Sequence, residues 1–148
     1  GFSFERKNEQ DLASALVDVC AQEKENNPEL WTSSIDFDCW LPHELLNLGL
    51  LDELDGMRPF GHGFEEPRFG IDAEIDSVRF YPDKVTKKPK HTAVSILTSD
   101  GDLQKIMFFN EVYEDLKKKD RSKFIVNPSR NHWQGRDHLS LIGVDYEA

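Results

Sequence analysis

Between Met57 and Gly70 the sequence reads MRPFGHGFEEPRFG, with two prolines and three glycines. Proline fixes φ and removes a donor, and glycine lets the backbone turn, so no regular element runs through this stretch. It separates two parts of a 148-residue chain that differ in pattern and in charge. Residues 1–77 hold 18 Asp/Glu against 5 Lys/Arg, whereas residues 78–148 hold 10 against 13. Any surface that meets an anion therefore belongs to the second part.

Before the break the spacing predicts a small β-α-β-α segment over residues 1–58. FSFE (2–5) alternates like a short strand. NEQDLASALVDVCAQEKE follows as a helix, with Asn8 as N-cap and Leu12, Leu16, Val19 and Cys20 on one face. SIDFDCWL (34–41) alternates as a half-buried strand. Pro42 then opens a helix, PHELLNLGLLDELDG, with Leu45, Leu48, Leu51 and Leu54 as its stripe and Gly56 as its stop.

Residues 59–70 form an elbow, and from Ile71 to the end the pattern is strands. IDAEIDSVRFY, HTAVSILT, LQKIMFFN, SKFIVNP and HLSLIGVDY are the five predicted strands. SDGD supplies an Asp-Gly hairpin turn after the second. NEVYEDLKKKD reads as a short helix between the third and fourth, with Val112, Tyr113 and Leu116 on its apolar side. Five strands with one helix in that place is the element order of the OB-fold, a small Greek-key barrel. The fold class is thus α+β, an OB barrel over 71–148 preceded by the β-α-β-α segment.

OB barrels bind oligonucleotides on the face of their second and third strands and with the loops joining strands 1–2 and 4–5. Here those loops are DKVTKKPK, with Lys84, Lys87, Lys88 and Lys90, and PSRNHWQGRD, with Arg130, His132, Trp133 and Arg136. Tyr81 leads into the first. Single-strand binders combine a cationic groove with stacking aromatics. The expected site therefore has lysines and arginines tracking phosphates, with bases stacked on Trp133 and Tyr81, both loops at one opening of the barrel. For Trp133 a second reading stands beside this, an indole plugging the barrel end. The lysine loop also reads as an ordinary solvated turn, and KKKDRSK (117–123) as the solvated end of a helix.

Catalytic and metal chemistry find no support in the spacing. The sequence has no phosphate-binding Gly-rich loop, no His-Glu-x-x-His and no Cys pair at zinc spacing. Cys20 and Cys39 read as structural buried thiols, with a disulfide as the alternative. His62 with Glu65 and Glu66 is the nearest approach to a ligand cluster, and it reads as an ordinary turn rather than a metal site. No apolar run is long enough to span a bilayer, and no basic-then-apolar leader opens the chain. The expectation is a cytoplasmic protein. Its start at Gly1 fits a processed chain or an excised piece.

The elbow PFGHGFEEPRF (59–69) resembles the Pro-Phe-Gly-x-Gly elbow of RecJ-type single-strand-specific exonucleases. The resemblance continues through His91, Gly101, Phe109-Asn110 and NHWQGRDHLSL, which is similar to the family's Asn-x-Trp-x-Gly-x-x-x-Leu ending. The opening GFSF is similar to the strand after the family's Gly-Gly-His motif. Phe64-Glu65 departs from the family's Asn-Pro. The resemblance covers nearly the whole chain and implies the end of a DHHA1-like domain followed by the family's OB domain. It also implies a parent enzyme that degrades single-stranded DNA from the 5′ end in repair and recombination, with Mn²⁺ or Mg²⁺ held by an N-terminal DHH domain. Those catalytic motifs are absent here, so the chain alone is expected to bind single-stranded DNA without cleaving it and to hold no cofactor of its own. An alternative is a protein-interaction module whose acidic half meets a basic partner. A third, a self-contained metal hydrolase, predicts metal-dependent turnover by this chain alone.

Overall fold

The computed structural model describes residues 3–31 and 34–147. The chain divides into two compact units, residues 1–35 and 36–148. The first is built on α1 (Glu9–Asn26), flanked by 3-10 turns at Arg6–Asn8 and Pro28–Trp31. No Gly or Pro interrupts Glu9–Asn26, and Glu9 and Asp11 suit the positive end of the helix dipole. Asn8 precedes the helix as expected, but its side chain makes no capping bond. No residue of α1 is buried, so the stripe through Leu16, Val19 and Cys20 is exposed, and the expected burial of the two thiols is not found, Cys39 being exposed as well. The expected first strand is not formed by Ser3–Glu5, and Phe2 lies outside the described residues.

In the second unit the anticipated strand over 34–41 shrinks to β1 (Cys39–Trp40), which runs parallel to the start of β2 (Phe69–Pro82). Pro42 ends it, having no N–H to give. Phe37 and Trp40 pack edge to face, with centroids 4.9 Å apart. They lie over Gly70, where a Cβ would come within 2.7 Å of the indole. The helix expected from Pro42 begins later. A 3-10 turn covers His43–Leu45, and α2 (Leu48–Gly56) starts behind Asn47, whose side chain accepts the Gly49 N–H at 2.8 Å. That cap stops the two pieces from merging. It leaves Leu45 exposed and sends Leu51 and Leu54 into the core.

The barrel is made by β2, β3 (Pro89–Leu97), β4 (Leu103–Phe108), β5 (Arg121–Trp133) and β6 (Arg136–Tyr146). The sheet order is β1-β2-β3-β4-β6-β5, and β5 pairs back onto β2 to close the ring. Strand β2 serves both sides. Its first half pairs with β5 (Ile71↔Phe124) and its second half with β3 (Val78↔Val94). Alternation places Ile71, Val94, Ile96, Ile106, Phe108, Phe124, Val126 and Leu141 inside, all essentially sealed from water. Gly143 lets β6 pass the Phe108 ring, since a Cβ there would sit 2.4 Å from it.

The helix expected over 110–120 is not present. A single 3-10 turn, Asp115–Lys118, drops Leu116 into the core. The buried Thr92 hydroxyl donates to the Glu111 carbonyl (2.9 Å) and accepts the Tyr113 N–H (3.1 Å). Those are backbone groups a helix would need, and Asn110 has already turned into the left-handed region at φ 63°. Tyr113, Phe108 and Tyr146 then pack edge to face, and the Tyr146 hydroxyl donates to Asp115. Burial, reinforced by that carboxylate, pushes the Tyr146 phenol up to about 12.

Candidate nucleic-acid interface

The β2–β3 turn is organised by one carboxylate. Asp83 Oδ1 accepts the Val85 and Thr86 N–H groups, each at 2.9 Å, and Oδ2 pairs with Lys90 Nζ at 2.9 Å. The Thr86 amide first, then Lys90 and the Val85 amide, hold the Asp83 carboxyl well below the usual carboxylate range. Lys87 takes the left-handed conformation, φ 59°. Lys84, Lys87 and Lys88 are exposed and carry no ion pair among the described residues. Lys90 is engaged within the turn.

The segment expected as a loop around Trp133 is instead a β-ribbon. Strands β5 and β6 continue past the barrel with unbroken register to Trp133↔Arg136. Gln134 (φ 50°) and Gly135 (φ 77°) close it with two positive-φ residues, the geometry that suits the twist of a two-residue hairpin. Side chains alternate across the ribbon. One face carries Trp133, Arg136, Asn131, His138, Ser129 and Ser140. The other carries Arg130, His132 and Asp137. Trp133 is 64% exposed, so it does not plug the barrel. Arg130 Nη2 donates to Asp52 (2.6 Å) and Asp55 (3.1 Å) of α2, and Nη1 to Asp137 (3.0 Å). His132 Nδ1 lies 2.8 Å from the other oxygen of Asp137. His132 and then Arg130 hold that carboxyl below its ordinary value. Of the expected phosphate ligands, Arg136 has no ion pair among the described residues and lies on the open face, whereas Arg130 is engaged.

The register also places the two loops. Parallel pairing of β4 with β6 (Met107↔Ile142) sets the ribbon tip toward the β3–β4 turn, whereas the lysine turn adjoins the opposite end of β3. Strand β3 alone separates those ends by roughly 27 Å at about 3.4 Å per residue. The two loops therefore do not share one opening. They stand at opposite ends of one outward face, because a closing hairpin and the β2–β3 hairpin leave the barrel in opposite directions.

That face consists of cross-strand rows: Ser77–Ser95–Lys105, then Arg79–Ala93–Met107–Ile142, then Tyr81–His91, joined by Phe109. The His91 and Phe109 rings meet edge to face at 5.6 Å. The Asn110 N–H donates to His91 Nδ1 at 2.9 Å, which fixes the ring with its proton on Nε2. Tyr81 and Phe109 are 40% and 51% exposed, large rings with free faces. None of the chain's 28 acidic residues stands on these rows or on the Trp133 face of the ribbon. Glu74, beside Leu97, and Asp76, at the β2 bulge, mark the lower edge. Arg79 and Lys105 add two more cations without ion pairs among the described residues. Loop composition does not single out Arg79, His91, Lys105 or Phe109 as site residues, and His91 and Phe109 enter the sequence reading only through the family resemblance. The period of two in β2, β3 and β4 is the signal that can place them on one face.

Three cations outside this face are engaged elsewhere. Lys117 Nζ lies 4.2 Å over the Phe80 ring, Arg121 pairs with Asp72 (2.8 Å) and Lys123 with Glu147 (3.0 Å). Glu65 and Glu66 pair with Arg68 and Arg58 rather than converging with His62. Among the described residues no group of three His, Cys, Asp or Glu side chains could hold a metal ion. No described helix is long and apolar enough to cross a membrane.

The ring of five strands, with β2 shared between both halves and a helical turn between the third and fourth, defines an OB-fold barrel, here extended by β1 and the ribbon. The family model for the RecJ OB domain matches residues 37–145, and the chain belongs to that family. Among solved structures it is similar to RecJ from Thermus thermophilus in complex with Mn²⁺, at 17% identity and a TM-score of 0.69. That match covers 100% of this chain and 20% of the other. The Mg²⁺ complex of RecJ from the same organism matches at 20% identity and a TM-score of 0.54, covering 75% of this chain and 16% of that one. The chain thus spans about a fifth of the RecJ chain it resembles. No curated protein sequence matches it significantly.

Proposed function

We propose that this chain binds single-stranded DNA along the outward β2–β3–β4 face and the ribbon. In this reading it is the DNA-gripping portion of a RecJ-like 5′–3′ exonuclease, cytoplasmic and acting in repair and recombination. The observation that carries the reading is the face itself. In a chain of net charge −10, the cross-strand rows themselves carry no carboxylate, although Glu65 and Glu66 border Ser129 and Ile142, and the face presents three exposed rings and, at both ends, cations without ion pairs among the described residues. Phosphates would meet Lys84, Lys87, Lys88, Arg79, Lys105 and Arg136. Bases would stack on Tyr81 with His91 and Phe109 at one end and on Trp133 at the other, each stack contributing ~1–3 kcal/mol. Any Mn²⁺ or Mg²⁺ of the parent enzyme would be held by residues other than those described here.

The test is binding of a labelled oligo-dT, read by anisotropy at several salt concentrations. Phe109→Ala and Trp133→Ala should each weaken binding by about 5- to 150-fold, the range that one stacked base spans. Binding that ignores both substitutions and Arg136→Glu would reject the reading. The competing reading, a protein partner on the acidic half, predicts an interaction that Arg136→Glu leaves intact.

A further inference from the structure

Arg130 occupies the ribbon face opposite Trp133 and Arg136, and its two terminal nitrogens bridge three carboxylates on two elements. The ribbon needs such an anchor. Strand β6 pairs with β4 only at Leu141 and Ile142, so residues 129–140 have no third strand beside them. A two-stranded hairpin is marginally stable by itself. At the root of the ribbon Leu139 packs against the core, and the one other side-chain hydrogen bond from the barrel to the ribbon among the described residues is Gln104 Nε2 donating to the Leu139 carbonyl at 3.3 Å. Asp52 and Asp55 sit on α2, whose core contacts through Leu51 and Leu54 fix it to the barrel. A guanidinium suits this role because its planar fork donates in several directions at once and remains charged at any working pH.

We infer that Arg130 is a positioning residue, clamping the ribbon to α2 so that Trp133 and Arg136 stand in line with the rest of the DNA face. Asp52 and Asp55 serve that clamp although their charge repels DNA. This rests on the single-strand-binding reading for its consequence, but the clamp itself is a property of the free chain.

The sign of one substitution separates the clamp from simple electrostatics. Removing two negative charges with Asp52→Asn/Asp55→Asn should tighten DNA binding if repulsion is all they contribute. The clamp predicts the opposite, binding to oligo-dT weaker by about three- to tenfold. Arg130→Gln should give the same loss, and combining it with the aspartate changes should add nothing further. None of these variants should alter the slope of log K against log salt, whereas Arg136→Gln should flatten it by ~0.7. In the free 148-residue chain, amides of residues 129–140 should exchange with deuterium faster in both clamp variants, with the global unfolding midpoint unchanged. The inference is overturned if the aspartate changes tighten binding, if Arg130→Gln flattens the slope by ~0.7, or if the ribbon amides keep wild-type exchange rates. Should the wild-type chain fail to bind oligo-dT at all, the DNA reading falls, and the exchange measurement still decides whether the clamp exists.

Discussion

Replacing Lys84, Lys87 and Lys88 together by glutamine removes half of the six unpaired cations that border the outward face. Each phosphate neutralised on a single strand contributes ~0.7 to the steepness of log K against log salt, so six contacts imply a slope of about −4. The triple variant should show about −2. Over a fourfold rise in salt, wild-type affinity should then fall roughly 300-fold and that of the variant roughly 20-fold. Stability should change by no more than about 0.5 kcal/mol, because none of the three lysines has an ion-pair partner to lose among the described residues. Anisotropy of a labelled oligo-dT between low and moderate salt measures both slopes. A wild-type slope shallower than about −1, or a triple variant whose slope equals that of wild type, would refute the account of the lysine turn as a phosphate contact.

Three further outcomes follow from the packing and the turn. Gly143→Ala drives a methyl to 2.4 Å from the Phe108 ring, and urea unfolding should show a loss of about 1–3 kcal/mol or more, while Gly61→Ala, with open space around it, should not. Thr92→Val strands the Tyr113 N–H and the Glu111 carbonyl and should cost about 1–3 kcal/mol, with Thr92→Ser largely preserving stability. Asp83 has a depressed folded pKa, so its support of the turn is present above the ordinary aspartate value of about 3.9 and is lost only as pH falls through the folded value. The Val85 and Thr86 amide signals should accordingly titrate with a midpoint below that ordinary value. A midpoint at or above it would contradict the hydrogen bonding of the turn.

The parts of the fold that are legible in the sequence are those governed by local alternation. Strands β2, β3 and β4 follow from residues such as Ile71, Ala73 and Val94, Ile96, where a period of two matches one buried face. The segment 110–120 reads as a helix in sequence because its competitor is remote. The hydroxyl that takes its backbone groups belongs to Thr92, about twenty residues earlier, and tertiary bonding outweighs propensity. The ribbon reads as a loop because Pro128, Asn131 and Gly135 have the composition of one, and Gln-Gly is a weaker hairpin signal than Asn-Gly. Trp133 and Arg136 emerge as candidates from their chemistry. Arg130 has the same chemistry, and only the fold shows its partners, Asp52 and Asp55, 78 and 75 residues away.

The alternation of the ribbon makes its usefulness a matter of parity. Lengthening both strands by two residues would carry the tip outward and keep the indole on its present side. Inserting one residue in β5 alone would turn Trp133 toward the helix, and inserting one in β6 alone would present Asp137 where a phosphate should lie. Among relatives that vary here, even steps should therefore be tolerated and odd ones accompanied by a bulge that restores the count.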